Sequence, residues 1–390
     1  MKKVALKITL ILLFVINAMY AGKGITWFTY DRFIPFSNLK DMEVLNNKLY
    51  LMKGNGLKVY NLQANSITHQ FPQSVGETFE AITTDGKYIY MLISSDSSSG
   101  GKTYQIIAID GLSNTSSYNL YYESDCYFDP DLFKDNNITP LPYDIKFAGD
   151  KLFVLLAYPY HNAIVPLTVE KNPIHIQCPQ APQPPSNHPI KKDLNSMIKK
   201  GDYLYYDKGS AGSGEIGIFS LSQNAEVNTY KIGEGYASYR WINSMAANNS
   251  HLFISVGYKE MGMGDGGNGV HLEIAEKNGN TLNMVKHFPS FFRPQDTVKE
   301  YLIGGNEEYL EIFNVSDLNN IKKVYSFRTS GYAKKAIAKN SKIYVEENNG
   351  VYIFNIYTLV PIPFEPRPFP QIESVNPSSP LKPSGISLYK

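Results

Sequence analysis

The sequence predicts an all-β fold, a seven-bladed β-propeller with short four-stranded blades, and three observations carry that prediction. A degenerate unit recurs along the chain: a polar start, an apolar strand, a turn rich in Asn, Asp, Gly or Lys, a strand holding an aromatic, a variable hairpin and a third apolar strand. The second-strand aromatic falls at Tyr50, Tyr90, Phe153, Tyr205, Phe253, Tyr301 and Tyr344, at intervals of 40, 63, 52, 48, 48 and 43 residues, all but the second resembling one blade. Apolar and polar residues alternate within each segment, so no strand buries a face alone, whereas radial stacking of small sheets buries both faces and limits exposed edges. Two β-sandwiches are the competing fold and give no reason for the recurring aromatic.

The elements follow in order. Residues 1–21 read as a secretory signal peptide: lysines at 2, 3 and 7, an apolar run Ile8–Ile16, and small residues Ala18 and Ala21. The run is shorter than a membrane span, and an uncleaved anchor is the alternative because Met19 is large for its place before the cut. The propeller is expected over 22–360. GITWFTYDRF, 24–33, is strand-like and suited to completing the last sheet by pairing the two ends.

Unit one reads LKDMEVLNNKLYLMKGNGLKVYNL, and unit two FEAITTDGKYIYMLI then YQIIAIDGL after the loose loop SSDSSSGGK. The 63-residue interval that follows holds Cys126 and DPDLFKDNNITP, an insertion. Unit three is YDIKFAGDKLFVLLAYPYHNAIVPL, followed by a proline-rich connection, 172–189. Units four and five contain LNSMIKKGDYLYYDKG and INSMAANNSHLFISVG; unit six, QDTVKEYLIGGNEEYLEIFNVSDL, is shortened; unit seven is KKAIAKNSKIYVEENNGVYIFNI. Residues 361–390 carry too much proline for a regular central strand and form a tail.

NNKLYLMKGNGLKVYNL and NSKIYVEENNGVYIFNI, in the first and last units, resemble the repeats of extracytoplasmic seven-bladed β-propellers of the YVTN-like or LVIVD-like kind. The resemblance spans roughly residues 38–357. It implies a blade and an exported scaffold, and no particular activity.

Charge and motifs exclude more than they select. The whole chain has 37 basic and 36 acidic residues; without Lys2, Lys3 and Lys7 the mature chain has 34 against 36, a net charge of −2. That balance offers no broad attraction for nucleic acid. No later segment is long and apolar enough to span a membrane, and periplasmic or secreted localisation is expected. Cys126 and Cys178 are the only cysteines, both in irregular sequence, and an oxidising compartment permits one disulfide between them. There is no HExxH, no GxSxG and no dinucleotide loop. GYKEMGMGDGGNGVH, 257–271, matches neither a phosphate loop nor a calcium loop and reads as a hairpin.

The starts of the first strands supply the candidate site: Asp41, Glu80, Asp144, Asn195, Asn243 and Asp296, with Lys335 in unit seven. Most precede their aromatic by nine or ten residues, Asp296 by five. In a propeller such positions converge on the central channel. Structural hydrogen bonding is their first reading. Carboxylate and amide oxygens also suit calcium, with Asp41, Asp144 and Asp296 as the metal candidates.

The function expected is an extracytoplasmic binding or scaffold module that recognises a protein, peptide or glycan through propeller-face loops. Trp241, just before Asn243, is read first as packing and second as a contact. The alternative is a metal-assisted hydrolase or lyase with the channel carboxylates at its centre.

Overall fold

In a computed structural model of the chain, the structure describes residues 25–54, 56–71, 76–96, 102–111, 124–128, 130, 139–158, 162–177, 197–209, 214–233, 238–260, 268–288, 292–306, 308–331, 333–347 and 349–359. The expected leader, the proline-rich tail, Asn195 and Cys178 lie outside them. Two units divide the chain. In the smaller, residues 1–27 with 357–390, Trp27 stacks on Tyr357 at 5.5 Å and the hydroxyls of Thr26 and Thr358 share a 3.3 Å hydrogen bond.

Phe28–Ile356, the larger unit, is the propeller. The strand preceding its first blade is β1 (Ile25–Pro35). Blade one is β2 (Leu39–Leu45), β3 (Lys48–Lys53), β4 (Gly56–Asn61) and β5 (Ser66–Phe71); blade two is β6 (Glu77–Thr84), β7 (Tyr88–Asp96), β8 (Lys102–Asp110) and β9 (Ser124–Phe128). Blade three is β10 (Leu141–Ala148), β11 (Lys151–Ala157), β12 (Asn162–Lys171) and β13 (Ile174–Gln177); blade four is β14 (Met197–Lys200), β15 (Tyr203–Asp207), β16 (Glu215–Ser220) and β17 (Ala225–Lys231). Blade five is β18 (Ser238–Ala247), β19 (His251–Glu260), β20 (Asn268–Asn278) and β21 (Thr281–Phe288); blade six is β22 (Arg293–Val298), β23 (Tyr301–Asn306), β24 (Tyr309–Asn314) and β25 (Lys322–Arg328).

Blade seven takes β26 (Lys335–Lys339), β27 (Lys342–Glu347) and β28 (Gly350–Leu359) and receives β1 as its outermost strand, as the strand-like start of the chain predicts. First and last segments thus share one sheet. Each innermost strand packs on the next, β2 on β6 and so on to β26 on β2, so the ring closes.

Seven apolar clusters fill the seven interfaces between blades. All seven recurring aromatics lie in second strands and are buried. They are packing residues, each placed where its face meets the adjoining sheet. Cys126 departs from its expected irregular setting: it sits in β9, buried beside Phe128, Ile174 and Ile176. The segment that holds Cys126 is therefore the fourth strand of blade two.

Every innermost strand begins at one end of the ring, the top face, and turns into the second strand at the other, the bottom face. Bottom turns between first and second strands are short, such as Asn46–Asn47 and Gly201–Asp202. The strand ends that flank the β7–β8, β19–β20 and β13–β14 connections lie at the top, and those that flank the β8–β9 connection lie at the bottom.

Candidate functional site

A one-residue bulge interrupts the first pairing of five blades, between Leu39 and Asp41, Phe79 and Ala81, Pro142 and Asp144, Ile242 and Ser244, and Pro294 and Asp296. A bulge inserts one residue and re-aims its side chain. Asp41, Asp144 and Asp296 stand just past the bulge, opposite Met52, Leu155 and Ile303, and Lys335 holds the same level opposite Glu346. Glu80 and Asn243 are themselves the bulged residues. The spacing of nine thus marks one ring of positions and the spacing of ten another. Asp296 belongs to the first ring because the β22–β23 hairpin is shorter.

The ring positions hold blade to blade. Asp41 accepts from Lys335 Nζ (2.7 Å) and Met42 N (2.8 Å) on Oδ1, and from Ile82 N of blade two (3.1 Å) on Oδ2. Lys335 donates also to the Met42 carbonyl at 2.9 Å. Asp296 accepts from Thr297 N and, across the interface, from Ala338 N, both at 2.7 Å. Asp144 Oδ1 takes Ile145 N at 2.8 Å. The bulged residues act likewise: Lys40 donates to Glu80, whose other oxygen takes the Ser94 hydroxyl at 2.8 Å. The fourth bulge points Asn243 Oδ1 at Trp241 Nε1, 3.0 Å away.

Burial opposes the charge on Lys335, yet Asp41, Glu43 and Glu346 outweigh it and hold the ammonium well above the ordinary lysine range. Burial pushes the Asp296 carboxyl above its ordinary range, against the two N–H groups and the fields of Lys146 and Lys200. Lys146 and Lys200, from blades three and four, were not singled out by the alignment of strand starts, since they lie two or more residues deeper. Their signal is the repeated lysine on innermost strands. The channel is therefore of mixed charge.

Both oxygens of Asp41 and of Asp296 already accept hydrogen bonds, Lys335 supplies a fixed cation beside Asp41, and no group of three or more His, Cys, Asp or Glu is placed to hold a metal among the described residues. These donors occupy both oxygens of Asp41 and of Asp296, and Ile145 N occupies one oxygen of Asp144.

Trp241 is the other feature of the top face. A Cβ on Gly257 would lie 2.3 Å from its ring, so the indole lies flat on the glycine backbone of β19 while 40% of the residue stays exposed. Glycine is required for that approach. The indole is held on one side and open on the other.

No protein-family model matches the chain, and no curated protein matches it in sequence. Solved structures match in fold. BamB from Moraxella catarrhalis is similar at TM-score 0.50 with 12% identity, over 84% of this chain and all of that one (100%). Kuenenia stuttgartiensis hydrazine synthase gives 0.53 and 9%, over 82% and 95%, and the Dos1 propeller 0.50 and 8%, over 82% and 79%. At these identities the likeness is one of architecture. It supports a seven-bladed propeller.

Proposed function

We propose that the chain is an extracytoplasmic binding or scaffold module whose top face engages a protein, peptide or glycan. The observation that carries this reading is Trp241: a large aromatic laid on Gly257, pinned through Nε1 and 40% exposed at the top face. An aromatic with so little freedom presents contact area at low entropic cost. YVTN-like or LVIVD-like kinship remains part of this proposal, on the blade pattern alone. The likeness to BamB and the Dos1 propeller is compatible with a scaffold.

The test is a screen of the purified mature chain on glycan and peptide arrays, repeated with Trp241→Ala. The reading predicts ligands whose signal falls about tenfold or more in the variant, a loss of at least 1.4 kcal/mol. Ligands bound equally by both chains would contradict it.

Export belongs to the same proposal, and so does a Cys126–Cys178 bridge. Cys126 packs with Ile176, and Cys178 follows the end of β13 by one residue, which favours pairing. Intact mass of the exported protein tests both. A chain beginning at Gly22 that gains about two mass units on reduction is expected; retained residues 1–21, or two alkylatable thiols before reduction, would refute the corresponding part.

A further inference from the structure

At the bottom face, the first hairpins of blades four, five and six enclose a pocket of about 470 Å³ that includes Lys200, Asn249, Ser250, His251, Lys299 and Glu300. Lys200 is half-buried, yet its ammonium forms no hydrogen bond or ion pair among the described residues. The side chains of Asn249, Ser250 and His251 likewise form no hydrogen bond among them. By contrast Asn248 is spent on the turn: its Oδ1 accepts Ser250 N at 2.9 Å and His251 N at 2.7 Å, which fixes the hairpin that carries the other three.

Two lysines, Lys200 and Lys299, line the pocket against one carboxylate. Behind the pocket Lys277, which donates to the Asn248 carbonyl at 2.5 Å, is pulled down to about 8 by burial and by the charge of Lys200. A half-buried ammonium beside a second lysine favours an anion over any cation. Glu300 is the one carboxylate in the lining. It is an acceptor that suits hydroxyl groups and repels a second anion.

We propose that this pocket binds a small phosphate monoester whose organic part bears hydroxyl groups, with Lys200, Ser250 and His251 at the phosphate and Glu300 and Asn249 at the hydroxyls. A phosphate offers three oxygens to donors arriving from separate hairpins, where a carboxylate offers two. The volume is in the range of small-ligand sites. The site is independent of the top-face reading, since it lies at the other end of the ring.

Calorimetric titration of the full mature chain with glycerol 3-phosphate, inorganic phosphate and glycerol tests the proposal. Glycerol 3-phosphate should bind, inorganic phosphate more weakly, and glycerol not at all. Lys200→Met should weaken glycerol 3-phosphate about tenfold or more, and Glu300→Gln should bring its affinity toward that of inorganic phosphate. Ser250→Ala, on an exposed turn, provides a second variant should Lys200→Met fail to fold, and should weaken both phosphates several-fold. No heat with glycerol 3-phosphate, phosphate bound as tightly as the monoester, or affinities unchanged in the variants would overturn it.

Discussion

Two aspartates show how the same side chain is driven in opposite directions by its surroundings. Asp85 sits in the bottom turn of blade two, where it takes Lys87 N at 2.8 Å, Tyr88 N at 2.7 Å, the Tyr90 hydroxyl at 3.2 Å and an ion pair from Lys171 of blade three at 3.0 Å. Burial pushes its carboxyl up, and the two N–H groups with Lys171 more than reverse that, leaving it below the ordinary aspartate range. Asp296 has two N–H donors and no cation in contact among the described residues, and burial wins. The stability consequences have opposite signs. Asp85 contributes stability that is present above the ordinary value near 3.8 and is lost as pH falls through its lower folded value. The contribution of Asp296 is fully present below 3.8 and is lost as pH rises through its higher folded value. Denaturant unfolding of wild type, Asp85→Asn and Asp296→Asn between about pH 3 and 7 should show this. The Asp85→Asn deficit, about 1–3 kcal/mol at neutral pH, should shrink in acid. The Asp296→Asn curve should lack the wild type's decline above pH 3.8. Parallel curves for all three would refute the assignment.

At the scale of elements, the recurring aromatic is the most legible feature of the sequence, because one packing demand is repeated seven times. Phe153 in β11 is fully buried and meets Phe219 of blade four edge-on at 5.2 Å. Phe153→Ala should cost about 3–5 kcal/mol, read from the denaturation midpoint, and a loss under about 1 kcal/mol would mean the site collapses freely. The candidate ring was only half legible. Its level along each strand could be counted, but whether a side chain stands at the bulge or past it turns on a single residue. Spacings of nine and ten therefore looked alike while Asp41 and Glu80 differ in setting. Cys126 was misjudged for a related reason: SDCYF alternates too briefly to declare a strand, and its pairing to Tyr104–Ala108 is supplied from across an insertion.

For the whole molecule, ring closure is the event that a linear sequence hides. β26 and β2 are 290 or more residues apart, and lysines of β26 and the residue before it cap carbonyls of β2: Lys334 to Leu39 at 3.0 Å, Lys335 to Met42 at 2.9 Å and Lys339 to Val44 at 2.5 Å. Unpaired carbonyls on the innermost edge are thereby satisfied. On the outer side of the same blade, Lys342 holds Asp31 of β1 at 2.8 Å and Asn355 of β28 at 2.6 Å. The seam where the two ends of the propeller meet is laced from its centre to its rim. Of the candidate ring, Asp41 and Lys335 join this seam.

The most direct test of this account is a double-mutant cycle on Asp41 and Lys335, with unfolding free energies measured with and without calcium. If the pair latches blade seven to blade one, Asp41→Asn and Lys335→Met should each destabilise, their coupling should be about 1–3 kcal/mol, and calcium should leave every midpoint unchanged. Coupling near zero, together with a calcium-dependent stabilisation of wild type that Asp41→Asn abolishes, would contradict it and return the channel to the role of a cation site.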